Sequence, residues 1–329
     1  MEELDEPPDN SHRIGQTAFI HAHGIEPLIR CRRLYLKFEG SNPSGTQKDR
    51  ASLACLAMAR EMGYDSLAIG TCGNFGASFA HLARDFGIKT HVYIPSNYHT
   101  ERIGEIVGMG GIVHRVEGTY EDAIGVVAVE AKDNGWYNAN PGEELNTRVA
   151  LEGYSGIARE IFVSLGHVPD VVAVPAGNGT TIAGVYHGFK VLYDEGKADR
   201  VPRMIAASTP MGNPIVRSFL NGLRTIRDLS PMEIKETSVN EPLVSWHSFD
   251  GQLALDALWE SGGWATYVPD QKMIEFSKIL AREEGLLVLP ASASALAAVD
   301  GYLRHNPEAT GVESCVAVLT ARKPVPRRH

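Results

Sequence analysis

The feature that most restricts this chain is an alternation: short apolar runs of the kind a sheet buries on both faces, each followed by a longer stretch with apolar residues at helical spacing. Val171-Val172-Ala173-Val174 is the clearest run, and others stand at 67–69, 90–94 (closed by Pro95), 112–116, 204–207, 286–289 and 315–319. Helical patterns lie between them at 51–58, 76–86, 100–107, 120–132, 148–165, 181–193, 252–261, 270–284 and 292–303. Strands joined through helices of this length demand right-handed crossovers and parallel sheets covered by helices. With 329 residues there is chain enough for two such units. The expected architecture is therefore two-lobed α/β, with a smaller domain over 46–147, a larger one from 13–45 and 148–329, and a mobile arm over 1–12. The stretch 209–250 carries no periodicity that places it.

Composition narrows the partners. A formal charge of −9 disfavours nucleic acid, and the basic tail Arg327-Arg328-His329 is too short to reverse it. No uncharged apolar run approaches membrane-spanning length, and the acidic start lacks the basic end and apolar centre of a signal peptide. The four cysteines have no metal-type spacing and read as reduced thiols of a cytoplasmic protein. His21-x-His23 has no cysteine or carboxylate framework in sequence around it, so it reads as surface or structural, and no metal is expected.

Ligands of such sheets bind beyond the carboxyl ends of the strands, so the loops that follow strands hold the candidates. In Asn42-Pro43-Ser44-Gly45-Thr46-Gln47-Lys48-Asp49-Arg50 the backbone breaks after an extended run at 34–39, and Lys48 falls at a helix start. The positive helix end and enclosure both favour its neutral, nucleophilic amine, although a lone lysine is more often a solvated charge. Thr71, Cys72, Gly73, Asn74 and Phe75 form a strand-to-helix turn whose amides suit a carboxylate. Gly177, Asn178, Gly179, Thr180 and Thr181 form an anion nest at another helix start, without the spacing of a dinucleotide fingerprint or a nucleotide P-loop. Thr320 follows the last strand, where its hydroxyl can meet a ring nitrogen. Taken singly, each is also what an ordinary turn contains.

Together these four loops describe a pocket for pyridoxal 5'-phosphate with an amino-acid substrate, and in their order and motifs the chain resembles the fold-type II pyridoxal-phosphate enzymes. The stretch 42–50 is similar to the Asn-Pro-Ser/Thr-Gly-Ser-x-Lys-Asp-Arg signature of the synthases in that family. The resemblance implies that Lys48 carries the cofactor as a Schiff base and serves as base for the α-proton, that Asn74 meets the ring hydroxyl, and that Gly177 to Thr181 hold the phosphate. It also implies that Thr320 faces the pyridine nitrogen, where a neutral hydroxyl makes the ring a weaker electron sink and favours elimination. A homodimer is implied in the same way. Val318-Leu319-Thr320 and Leu289-Pro290-Ala291-Ser292-Ala293 look most like the threonine synthase branch, which turns O-phosphohomoserine into threonine and phosphate. Arg148 and Ser155 stand where that branch's substrate-phosphate arginine and lysine are expected, but Arg148 is set further forward and Ser155 replaces the lysine. Cys72 and Phe75 stand where small hydroxyl residues are usual. These departures keep two alternatives open: β-replacement or dehydration of a serine or cysteine derivative, and a pyridoxal-phosphate-binding protein without turnover.

Overall fold

The computed structural model describes residues 13–98, 100–306 and 309–324. Two sheets organise it. The larger has six strands in the order β1-β2-β10-β7-β8-β9, built from β1 (Ala18–His21), β2 (Arg33–Phe38), β7 (Val171–Pro175), β8 (Arg203–Ser208), β9 (Trp264–Tyr267) and β10 (Ser314–Leu319). All its pairings are parallel except that of β1 with β2. The smaller is a four-stranded parallel sheet in the order β5-β4-β3-β6, from β3 (Ser66–Gly70), β4 (Lys89–Pro95), β5 (Ile112–Val116) and β6 (Tyr137–Asn138). Every residue of β3, β7 and β10 is buried, which is why these strands read as continuous apolar runs rather than alternating ones. The arm over 1–12 lies outside the described residues.

The helices that matter for the site are α2 (Lys48–Glu61), α3 (Asn74–Phe86), α5 (Tyr120–Asn134), α6 (Glu144–Leu165), α7 (Thr180–Asp194) and α9 (Gly251–Glu260). Glycines set how closely they approach: a Cβ on Gly153 of α6 would lie 2.6 Å from the Arg50 carbonyl oxygen on α2, and one on Gly188 of α7 would lie 2.5 Å from the Ser155 carbonyl oxygen on α6. Among the described residues, no helix is long and apolar enough to cross a membrane.

Two expectations change. Residues 286–289 are not a sheet strand; Val288 makes one isolated bridge to Arg322, because this segment pairs with the chain leaving β10. The stretch 209–250 is ordered by side chains rather than by periodicity. Asn213 caps the helix α8 (Pro214–Leu220) by accepting from the amides of Ile215 and Val216, with Pro214 in the first turn. Strands β6 and β9 are too short, or too exposed, to have announced themselves.

Candidate active site

In the large sheet β10 lies between β2 and β7, and the connection from β7 runs the other way, to β8. The loops after β7 and β10 therefore diverge and leave a crevice at the carboxyl ends of the strands. The chain after β10 is pinned to the lysine loop by the Gln47 amide on the Thr320 carbonyl (2.9 Å) and the Arg322 amide on the Gly45 carbonyl (2.9 Å). Gly45 has φ +81, and a Cβ there would sit 2.2 Å from Arg322 Nε, so only glycine lets the two segments close. This places Lys48, the first residue of α2, beside Thr320 on the wall of a cavity of about 330 Å³.

The signature residues around Lys48 point in three directions. Asp49 is buried and accepts from the Ser44 amide (2.8 Å), the Ser44 hydroxyl and the Ser78 hydroxyl (2.6 Å), closing the turn onto α3. Arg50 turns away into a buried charge network. Lys48 faces the cavity, and among the described residues its Nζ has no hydrogen-bond partner; it lies 4.7 Å from the Phe75 ring centroid and 5.8 Å from that of Tyr154. Burial is the largest influence on it and lowers its pKa, against the weaker opposing pull of Asp250.

The nest after β7 owes its shape to residues that no sequence pattern flagged. Asn213 Nδ2 donates to the carbonyls of Ala176 (3.1 Å) and Gly177 (3.0 Å), Ser208 Oγ donates to Ala176 (2.7 Å), and Ser248 Oγ reaches Gly177 (3.3 Å). Because a peptide is planar and trans, carbonyls drawn back in this way turn the amides of Gly177 and Asn178 to the opposite side. Gly179 (φ +95) then opens α7 with no side-chain cap on its free amides. Thr180 lines the cavity, but its hydroxyl donates to Asp250, which also holds Thr147. Asn178 Nδ2 donates to Tyr120 Oη on α5 (2.9 Å), tying the nest to the smaller sheet's helices, while Asn178 Oδ1 is buried without a partner.

On the opposite wall Thr71, Cys72, Asn74 and Phe75 line the cavity. Gly73 does not line it; with φ +132 it lets the backbone pass Thr100, whose Oγ1 would lie 2.3 Å from a Cβ there. Arg102, also missed from sequence, is buried and donates to Asn74 Oδ1 (2.9 Å), the Ser44 carbonyl (2.6 Å) and both Glu105 oxygens. It fixes Asn74 and the signature turn together. Thr320 Oγ1 donates to Ser292 Oγ (3.2 Å), so the 289–292 segment also reaches the cavity.

Two expected substrate residues are not brought here. Ser155 is fully buried on α6, donates to the Glu152 carbonyl (2.6 Å) and packs under Gly188. Arg148, also on α6, borders a separate surface depression with Glu144, Phe249 and Leu253. Helix α6 braces α2 from behind, so its Gly153 serves close helix packing rather than substrate contact. Sequence spacing cannot separate the two roles, since both put small residues on one helical face.

Residues 11–321 match the family described as pyridoxal-phosphate dependent enzyme. The threonine synthase of Methanocaldococcus jannaschii is 32% identical over 294 residues, which is 89% of this chain and 71% of that protein. The threonine synthase of Synechocystis sp. is 30% identical over 310 residues, 93% of this chain and 76% of that one. Among solved structures, maize serine racemase superposes with a TM-score of 0.80 at 18% identity, covering 96% of this chain and 92% of its own. The processed form of threonine deaminase isoform 2 from Solanum lycopersicum gives 0.75 at 17% identity, covering 96% and 87%. At such identities the structural matches speak for the fold alone.

Proposed function

The chain belongs to the family of pyridoxal-phosphate-dependent enzymes, and from that premise we propose a threonine synthase-like reaction, in which O-phosphohomoserine and water give threonine and phosphate. The observation that carries this reading is the pairing of Thr320 with Ser292: the two segments that resemble that branch in sequence meet at the cavity wall beside Lys48. The residues present fit the cofactor. The turned-out amides of the nest and the uncapped start of α7 suit a phosphate, and Lys48 offers an amine with no hydrogen-bond partner among the described residues. When bound, pyridoxal phosphate supplies the electron sink for the pair left behind when the α-proton departs. In this reading Lys48 holds the cofactor and, once displaced by substrate, takes that proton; its lowered pKa keeps the amine available as a base. Asn74, steadied by Arg102, orients the ring, and Thr320 gives the ring nitrogen a neutral partner. The loop 71–75 receives the substrate carboxylate.

A second reading, elimination or replacement at the β-carbon of a serine derivative, is favoured by the absence of Arg148 and Ser155 from the cavity and by the thiol of Cys72 and the ring of Phe75 in it. Borohydride reduction and peptide mapping test the first premise and should label Lys48; a label on Lys37 or Lys190 overturns it. Phosphate release from O-phosphohomoserine, set against elimination from O-phosphoserine and O-acetylserine, tests the substrate. A clear preference for either serine derivative makes the second reading the better one.

A further inference from the structure

We propose that His21, His23 and Glu26 form a binding site for a divalent transition-metal ion of the zinc class, outside the cavity described above. His21 ends β1, and Glu26 opens the short helix α1 (Glu26–Ile29). The fold folds these back so that Glu26 Oε1 lies 2.7 Å from His21 Nε2 and Oε2 lies 3.6 Å from His23 Nδ1, with the three donors all within 4.8 Å of one another. A tetrahedral ion with bonds of about 2.0–2.1 Å spreads its donors roughly 3.3–3.4 Å apart, inside the 4.8 Å span that holds one donor atom from each of the three residues. The donors are also supported from behind. Glu26 Oε1 takes the Leu34 amide of β2 (2.8 Å), and the His21 ring stacks on Tyr35 at 4.7 Å, the kind of secondary contact that orients ligands. A simple His21–Glu26 hydrogen bond accounts for one of these contacts but not for His23 meeting the second carboxylate oxygen.

The local charge points the same way. Glu284, at the end of helix α10 (Asp270–Glu284), packs on the backbone between the two histidines and Glu26: a Cβ on Gly24 would lie 3.4 Å from its Oε1. That oxygen is buried with no hydrogen-bond partner, and among the described residues neither Glu26 nor Glu284 has an ion pair to lysine or arginine. Two carboxylates and two imidazole rings, with no lysine or arginine ion pair among them in the described residues, suit a dication. Two nitrogens and a carboxylate select zinc-class ions over magnesium or calcium, which take oxygen donors. The His23 side chain is 73% exposed, so the site is reachable from solvent and keeps a position for water.

The test is titration of the untagged holoenzyme with Zn²⁺ against a chromophoric chelator, with Co²⁺ absorption as a probe of geometry. We expect one saturable ion per chain, a tetrahedral Co²⁺ spectrum and a rise in thermal midpoint. Both His23→Ala and His21→Ala should weaken binding about tenfold or more and abolish the midpoint rise, with the cofactor absorbance unchanged. No saturable uptake, or uptake unchanged in both variants, overturns the proposal. Since His23 is exposed and holds no core contact, its variant folds and keeps the test decisive.

Discussion

Lys48 and Arg50 stand two residues apart at the start of α2 and live in opposite surroundings. The Arg50 guanidinium is saturated: it donates to both oxygens of Glu39 (2.7 and 2.9 Å) and both of Glu160 (2.8 and 2.9 Å), and Glu160 also takes Lys37 at 2.5 Å. Glu39 and Lys37 are 0% and 1% exposed, so at these two residues the network has exchanged water for protein partners. Lys48 is half-buried on the cavity wall with no polar side chain paired to it, and burial drives its pKa down. The contrast separates two uses of a basic side chain. One is closed and holds α2 against β2 and α6; the other is left open, which costs stability unless a ligand completes it.

Exchanging the two residues' fates should expose this directly. Lys48→Ala should lower turnover by about 10³-fold or more, the loss expected when nucleophile and base go together, while urea unfolding of the cofactor-free protein stays the same or improves. Arg50→Ala should do the reverse to stability, costing about 3–5 kcal/mol because Glu39 is left as an uncompensated buried charge. If Lys48→Ala proves the more destabilising of the two, the division fails.

Acid sharpens the closed side. The Arg50 and Lys37 cations hold the Glu160 carboxyl near 2, against an ordinary 4.5, although burial pushes the other way. A depressed carboxylate adds stability above its unfolded pKa and loses it as pH falls, here between 4.5 and about 2. At 1.36 kcal/mol per unit the contribution is on the order of 3 kcal/mol. Unfolding free energy followed over that interval should decline steeply in the wild type and much less in Glu160→Gln; parallel curves would show that the network titrates elsewhere.

The two sides also differ in how far they could be read from sequence. The parallel sheets and most helices were legible because burial on both faces writes itself as apolar runs and 3.6-residue spacing. The cavity's loops were legible because glycines, hydroxyls and a lysine at strand ends have few other reasons to recur together. What stayed hidden is whatever acts across long separations. Asn213 and Ser208 shape a loop more than 30 positions earlier, Arg102 steadies Asn74 from 28 away, and Glu160 meets Arg50 from 110 away. Each is an ordinary polar residue until the fold brings it home. Ser155 and Arg148 erred in the opposite sense: of a motif-like pair near the site, Ser155 packs between helices and Arg148 faces a separate surface depression.

The smallest expected effect tests whether the open side is built for substrate as proposed. Burial and the nearby Glu241, Glu236 and Glu121 keep the Cys72 thiol neutral, its pKa pushed well above the ordinary thiol range, and its hydrogen bond to the Glu241 carbonyl is a weak one of 3.9 Å. Cys72→Ser replaces a poor donor with a good one at nearly constant volume. A new hydrogen bond to a charged group is worth at most about 1.5–3 kcal/mol. Part of that is lost to the hydroxyl's own desolvation, so a gain of about 1 kcal/mol, roughly fivefold in kcat/KM, is expected. Which substrates gain is the informative part. If O-phosphohomoserine and O-phosphoserine improve equally, the hydroxyl meets the α-carboxylate that both carry, and the 71–75 loop is the carboxylate site. If only O-phosphohomoserine improves, residue 72 reaches the leaving group. If neither does, the loop does not touch substrate, and the cavity's open side ends at Lys48 and the nest.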